Sequence, residues 1–308
     1  MTAFSLPVGP LGIPLLGFGT GTYYYKRGDE DFNQKLVDIL VKAVRDGFVH
    51  IDTAESYGVY PEVAAALKQL SDVDRSTLFI TDKFDSGSPS TGGKSKDGTP
   101  YEHLKKALKE LGTDYVDLYL IHSPFITKEK FGFTLEEAWQ SVEKTLDEGL
   151  AKRVGVSNFA VADVEKILKI AKVKPQVNQI EFNAFLQNQT PGIFEFSKKN
   201  GIVLEAYAPL APLTKVDNSK GVPKEFDEVL DKLASKYGKT KTQLLLRWVI
   251  QVGVIPISTT SKDSRLEEWK GIFNFKLSQA EVDQLTEIGE KHKPQFRLYW
   301  GPEYSKYN

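Results

Sequence analysis

Eight short β-branched or aromatic runs alternate along this chain with longer stretches of helical period, and that alternation restricts the fold more than any single motif does. The runs are Leu15 to Gly19, Val49 to Thr53, Leu78 to Lys83, Val116 to His122, Arg153 to Ser157, Gln176 to Glu181, Val203 to Tyr207 and Val254 to Ser258. Between them, apolar residues recur at three- and four-residue spacing, as in Leu36, Ile39, Leu40, Ala43 and Val44, and again in Leu104, Ala107, Leu108 and Leu111. Each such stretch reads as a crossover helix. Thr134 with Glu137, and Ser278 with Glu281, have the spacing of capping boxes, while Gly149 and Gly201 stand where helices should end.

Eight strand-helix units in 308 residues match the size of a closed barrel. An open doubly wound sheet would place a GxGxxG turn after the first strand, but here GFGTG runs into TYYYKRGDED with no third glycine opening a helix. The expected fold is an α/β single-domain (β/α)8 barrel over residues 1–308, with an N-terminal β-hairpin and a C-terminal tail lining the substrate cleft. Residues Ser86 to Gly98, SGSPSTGGKSKDG, read as a flexible surface loop after the third strand and not as a domain boundary.

The 40 basic and 41 acidic residues are scattered, so no charged face for nucleic acid or an anionic membrane is expected. With no cysteine there is no disulfide, thiolate metal site or cysteine nucleophile, and four histidines make a His-rich metal site unexpected as well. The apolar N-terminus is broken by Pro and Gly, lacks a basic start and has no uninterrupted stretch near the ~20 residues of a membrane span. A small-molecule partner, a cytoplasmic location and a monomeric state are the expectations.

In such a barrel the active site forms at the C-terminal ends of the strands. Strand two ends in Asp52, with Glu55 and Tyr57 in the loop beyond; strand three ends in Lys83, strand four in His122, strand five in Ser157 and Asn158. Strand six carries Gln179 and Glu181, strand seven ends at Tyr207 and strand eight at Ser258. Ionisable groups among apolar strand residues are costly to bury unless paired, so Asp52 and Lys83 should pair. A nearby ammonium would lower the tyrosine pKa from its usual value of about 10. Tyr57 then becomes a candidate general acid, Lys83 its tuning charge, Asp52 the anchor of that lysine, and His122 a neutral group orienting a substrate oxygen.

The blocks DTAESY, TDK, LGTDYVDLYLIHSP, GVSNF, VNQIE, EAYAPL and IPISTTSKDSRLEE occur in this order from about Gly17 to Lys270. With them the chain resembles the aldo-keto reductase superfamily, and among its members the fungal ketone reductases of the conjugated polyketone reductase type. The resemblance implies an NADPH-dependent carbonyl reductase of the alcohol dehydrogenase (NADP+) kind, binding its nicotinamide cofactor without a Rossmann domain and reducing an aldehyde or ketone. It carries the catalytic roles onto Asp52, Tyr57, Lys83 and His122, the same four residues that the strand ends select.

For the cofactor, the resemblance implies Gly19, Thr20 and Asp52 at the ribose near the nicotinamide, Tyr207 stacked on the ring, and Ser157, Asn158 and Gln179 on its carboxamide. Leu210, Ser258 and Thr259 follow on the cofactor's path, the last two at the pyrophosphate, with Glu268 at the adenine. Ser261, Lys262 and Arg265 at a helix start suit a 2′-phosphate, whose charge needs cations and backbone donors. The chain departs from common members at Ile257, Trp269 and Ser123, where Lys, Asn and Trp are frequent, and at Val59, Tyr60, Asn183 and Ala184.

The aromatics Tyr23, Tyr24, Tyr25, Phe84, Phe125, Phe296, Tyr299 and Trp300, with His122 and Ser123, are the expected pocket walls, and Tyr25, Phe84, His122, Ser123, Phe125, Tyr299 and Trp300 are the expected substrate contacts. A hydrolase or aldolase using Lys83 as a Schiff-base amine fits less well, since Asp52 would keep that lysine charged. An NADPH-binding regulatory subunit on the same fold, like the potassium-channel β-subunits that this family resembles, is the other alternative.

Overall fold

The computed structural model describes residues 4–26, 28, 30–89, 93–214, 222–293 and 295–307. Eight parallel strands close on themselves in sequence order: β1 Gly17–Gly19, β2 His50–Asp52, β3 Phe79–Phe84, β4 Leu118–Ile121, β5 Val154–Ser157, β6 Val177–Glu181, β7 Val203–Tyr207 and β8 Val254–Ser258. Each lies within the run expected for it or extends it by one residue. The register sets Gly19 opposite Asp52, Asp52 opposite Thr81, and Lys83 opposite Leu120. No sheet edge is left open.

Because side chains alternate along a strand, the barrel has two apolar layers. Phe79, Leu118, Leu120, Val177 and Ile255 point inward over Ile13, which closes the lower end. Their neighbours, such as Ile80, Tyr119, Ile121 and Ile180, point outward into the larger core under the helices. On β3 the same parity turns Lys83 into the barrel with Asp52 and turns Asp82 and Phe84 toward the helices.

The helices that bear on the site are α1 Gln34–Arg45, α2 Tyr60–Gln69, α3 Pro100–Leu111 and α4 Leu135–Asp147. Both expected capping boxes form, Thr134 with Glu137 and Ser278 with Glu281, and a third, Thr99 with Glu102, starts α3. Gly149 and Gly201 adopt the left-handed backbone, φ 72° and 61°, just past their helices. The N-terminal hairpin is minimal: Val8 and Pro14 form one antiparallel bridge around a 3₁₀ turn at Pro10–Gly12.

The loop after β3 is exposed at Pro89, Gly93, Lys94, Lys96 and Gly98, as expected of a surface loop, but is anchored at its serines. Ser86 and Ser88 are buried, and Ser95 is too, its backbone N–H donating to Asp85 O at 2.8 Å. Serine hydroxyls with partners inside the fold can be buried where a solvated linker could not. Residues 90–92 of that stretch lie outside the described residues.

Candidate active site

Asp52, Tyr57, Lys83 and His122 meet at the C-terminal mouth of the barrel. Lys83 is fully buried and donates to Asp52 Oδ1 at 2.7 Å, to Thr53 O at 3.0 Å and to the Tyr57 hydroxyl at 3.2 Å. Tyr57 ends a 3₁₀ turn, Glu55–Tyr57, that follows β2, and its ring meets His122 edge-on at 5.7 Å between centroids. Ser56 Oγ lies 3.4 Å from His122 Nδ1.

Burial pulls the lysine pKa down, but Asp52 and Tyr57 outweigh it and hold Lys83 above its ordinary value. Burial followed by the Lys83 charge lowers His122 to about 3, so the imidazole is neutral near pH 7. Tyr57 corrects the expectation of a depressed phenol. Burial raises its pKa above 10, and the opposing pull of Lys83 is the smaller effect. The hydroxyl is therefore a held proton that a developing charge must draw off.

Beneath these four lies a buried polar layer. Gln179 Nε2 donates to Asp52 Oδ2 at 2.8 Å and to Glu205 Oε2 at 2.9 Å, so both amide hydrogens are committed and only Oε1 is left to meet another group. Ser157 Oγ donates to Gln179 O at 2.7 Å. Asn158, in the left-handed region at φ 63°, donates from Nδ2 to His122 O at 2.9 Å and accepts the Tyr207 hydroxyl at 2.7 Å. Thr20 is fully buried and donates to Asp52 O at 3.1 Å. These residues brace the cleft floor more than they line it.

Above them runs a cleft of about 360 Å³ whose walls include Gly19, Gly21, Asp52, Tyr57, Tyr207, Leu210, Ile257, Ser258, Thr259, Arg265 and Tyr299. A long, partly charged cofactor fits this lining on two grounds. The buried Thr259 Oγ1 has no hydrogen-bond partner, a donor and acceptor waiting for one. A Cβ at Gly21 would meet the Tyr57 ring at 2.9 Å, so only glycine lets the backbone pass beside the phenol. Ser261 and Lys262 are exposed at the start of the helix Asp263–Lys270, with Arg265 one turn in and its guanidinium 3.9 Å from Glu268. Glu268 also accepts the Thr240 hydroxyl.

Of the expected substrate contacts, Tyr25 lies 6.2 Å from the Tyr57 ring, Phe125 packs 5.6 Å from Trp300, and Tyr299 sits 5.6 Å from Tyr207. Two others face elsewhere. Phe84 is fully buried among Phe131, Phe133 and His103, because strand parity sends it outward when Lys83 points in. Ser123 is also fully buried, its hydroxyl donating to Gly87 O at 2.7 Å and its N–H to Ser86 Oγ at 2.6 Å, which ties two loops together instead of forming a wall. Trp269 is buried against Phe18 and Phe48. Tyr24 too is buried, donating to Thr260 O at 2.9 Å.

Glu205, Gln189 and Ser56 support the site without having been singled out by the sequence reading. Glu205 stood in EAYAPL, and the strand's period of two, counted back from Tyr207, places it inward. Gln189 is a loop residue whose amide donates to Asn158 Oδ1 at 2.9 Å, a contact no local pattern announces.

The model of the aldo/keto reductase family matches residues 15–290. The chain is 49% identical over 293 residues to an NADPH-dependent alpha-keto amide reductase of Saccharomyces cerevisiae, covering 94% of this chain and 91% of the relative. It is 41% identical over 280 residues to an NAD/NADP-dependent indole-3-acetaldehyde reductase of Schizosaccharomyces pombe, covering 91% and 93%. A Bombyx mori aldo-keto reductase solved in complex with NADP superposes with a TM-score of 0.81 at 28% identity, covering 98% of each chain.

Proposed function

The chain belongs to the aldo/keto reductase family, and from that premise we propose that it reduces an aldehyde or ketone with NADPH while Tyr57 delivers the proton to the carbonyl oxygen. The observation that carries this reading is the Tyr57 hydroxyl, 3.2 Å from the buried Lys83 ammonium and at the wall of the cleft.

Bound NADPH supplies a hydride to the carbonyl carbon. As negative charge builds on the carbonyl oxygen, Tyr57 gives up its proton and Lys83 stabilises the phenolate left behind. Asp52 holds the ammonium in line through Oδ1 and is itself held by Gln179 through Oδ2. His122, neutral and engaged at Nδ1 with Ser56, turns its other nitrogen to the carbonyl oxygen and orients it.

Tyr207 would stack on the nicotinamide, with Gln179 Oε1, Ser157 and Asn158 at the carboxamide and Gly19, Thr20 and Asp52 near the adjoining ribose. Leu210, Ser258 and Thr259 would follow the pyrophosphate, Ser261, Lys262 and Arg265 the 2′-phosphate, and Glu268 the adenine. Tyr25, Phe125, Tyr299 and Trp300 favour a carbonyl carried on a flat apolar group. We place the protein in the cytoplasm as a monomer, residues 1–308 forming one barrel domain.

Steady-state oxidation of NADPH and NADH across a panel of aromatic aldehydes, vicinal diketones and alpha-keto amides tests the reading. Turnover with a clear preference for NADPH is expected. Tight NADPH binding with no turnover on any member would instead favour the regulatory-subunit reading.

A further inference from the structure

Behind the proton-donating pair, on the helix side of β3, a second histidine sits in a ring of acidic groups. His103 on α3 is almost fully buried. Its Nδ1 faces Asp97 Oδ2 at 3.1 Å and Glu55 Oε2 at 3.4 Å, and its Nε2 faces the Tyr60 hydroxyl at 3.2 Å and Asp82 Oδ2 at 3.6 Å. Proton accounting fixes its charge. Tyr60 has one proton and gives it to Asp82 Oδ1 at 2.7 Å, so its oxygen accepts from His103. Asp97 is held as a carboxylate by Lys106 at 2.7 Å, so it too accepts. Both ring nitrogens must donate, which makes the ring an imidazolium and leaves no lone pair for a metal.

Two of the three carboxylates it faces are placed one or two residues from the acid pair. Asp82 directly precedes Lys83, and Glu55 stands two residues before Tyr57 at the start of the same 3₁₀ turn. Glu55 Oε2 also accepts the Asp85 N–H at 2.8 Å, which stitches the turn to the end of β3. Asp82 Oδ2 is buried with no hydrogen-bond partner, so its compensation is the His103 charge.

We propose that His103 is a positioning residue for the reduction: its imidazolium clamps the turn bearing Tyr57 to the strand bearing Lys83 and so sets the distance between hydroxyl and ammonium. The proposal rests on the reading of Tyr57 and Lys83 as the proton-donating pair. The groups facing the ring are Glu55 from the turn, Asp82 and Asp85 from β3 and its end, Asp97 from the following loop, Tyr60 from α2 and Tyr119 from β4, with Lys106 on its own helix. Burial pulls the imidazole down, but Asp82, Glu55 and Asp97 outweigh it and raise it to about 9. Glu55 is pushed up to about 7 by burial and is therefore mostly a carboxylate between about pH 7 and the His103 value of about 9. Loss of the His103 proton above pH 9 leaves the acidic ring uncompensated, and the clamp opens.

Three measurements on the full-length protein decide it. His103→Gln should lower kcat roughly 10- to 100-fold, the scale of a displacement of about 1 Å at a reacting group, with KM for NADPH nearly unchanged. The wild-type kcat should fall as pH rises through about 9, and that limb should be missing in His103→Gln. In wild-type protein with labelled histidine rings, one of the four histidines should stay an imidazolium at about pH 8, well above the ordinary value of about 6.5. This last reading stands even if the variant does not fold. A folded His103→Gln with wild-type kcat and an unchanged upper limb, or no imidazolium at about pH 8, overturns the clamp and leaves Tyr57 as acid untouched. A Tyr57→Phe variant that keeps its turnover overturns both.

Discussion

The ammonium of Lys83 lies 3.2 Å from the Tyr57 hydroxyl and 4.9 Å from the centroid of its ring. This contact makes Tyr57→Phe an informative change, because it deletes one oxygen while Lys83 keeps Asp52 and Thr53 O as partners. The kcat for carbonyl reduction should fall by roughly 10²- to 10⁴-fold, the range for removing a general acid. The dissociation constant for NADPH, followed by quenching of protein fluorescence, should barely move. A variant that keeps most of its turnover would transfer the acid role to another group.

How much of this was legible in the residues follows from strand parity and chain order. The eight runs gave the barrel because each apolar run had to pair with its neighbours and each amphipathic stretch had to cover them. The polar strand ends named Asp52, Lys83 and His122 for the same reason: ionisable groups at those positions are tolerated only where they meet. Phe84 was misread because its aromatic character suggested a pocket wall, while its parity with Lys83 already turned it away. Ser123 was misread because a small residue in a loop carries no sign of what it bonds. His103 was invisible, falling on the apolar face of α3 beside Leu104 and Ala107 with partners on the 3₁₀ turn, α2, β3, β4 and a loop. The raised pKa of Tyr57 could not be read either, since it depends on how deeply the phenol is buried.

Arg265 lines the cleft one turn into the helix that begins after Lys262, with its side chain 43% exposed and free to swing toward a phosphate. Arg265→Ala should raise KM for NADPH about 10- to 100-fold, which corresponds to losing one charge-assisted hydrogen bond of about 1.5–3 kcal/mol. KM for NADH should change little, because it lacks the 2′-phosphate. Equal weakening of both cofactors would remove Arg265 from the discrimination.

Glu205 shares the Gln179 amide with Asp52 inside the barrel, and burial, then the Asp52 charge, raise its pKa to about 8. A carboxyl raised in the folded state binds its proton more tightly there than in the unfolded chain, whose value is near 4.5. Its contribution to stability is complete below about 4.5 and is lost as pH rises through about 8. The thermal midpoint of the wild type should therefore decline over that window relative to Glu205→Gln, which cannot ionise. Parallel pH profiles of the two proteins would show that Glu205 ionises freely.

The Glu181 carboxylate, at the end of β6, accepts the backbone N–H groups of Leu298 at 2.7 Å and Tyr299 at 3.1 Å, and so fastens the C-terminal tail over the cleft. Arg297 reinforces the attachment by donating to Gln189 O at 2.8 Å. Glu181→Gln keeps the size of the side chain but turns an NH₂ donor toward one of the two N–H groups, so at least one bond is lost and a repulsion replaces it. Tyr299 and Trp300 would then lose their fixed placement beside Tyr207 and Phe125. KM for a bulky aromatic carbonyl should rise about tenfold, equivalent to roughly 1.4 kcal/mol, while a small aldehyde that does not reach the tail is reduced as before. KM for NADPH should change less than that of the bulky carbonyl, since Tyr299 also lines the cofactor cleft but Ser258, Thr259 and Arg265 there are untouched. If both carbonyls suffered equally, the defect would lie in the barrel and not in the tail.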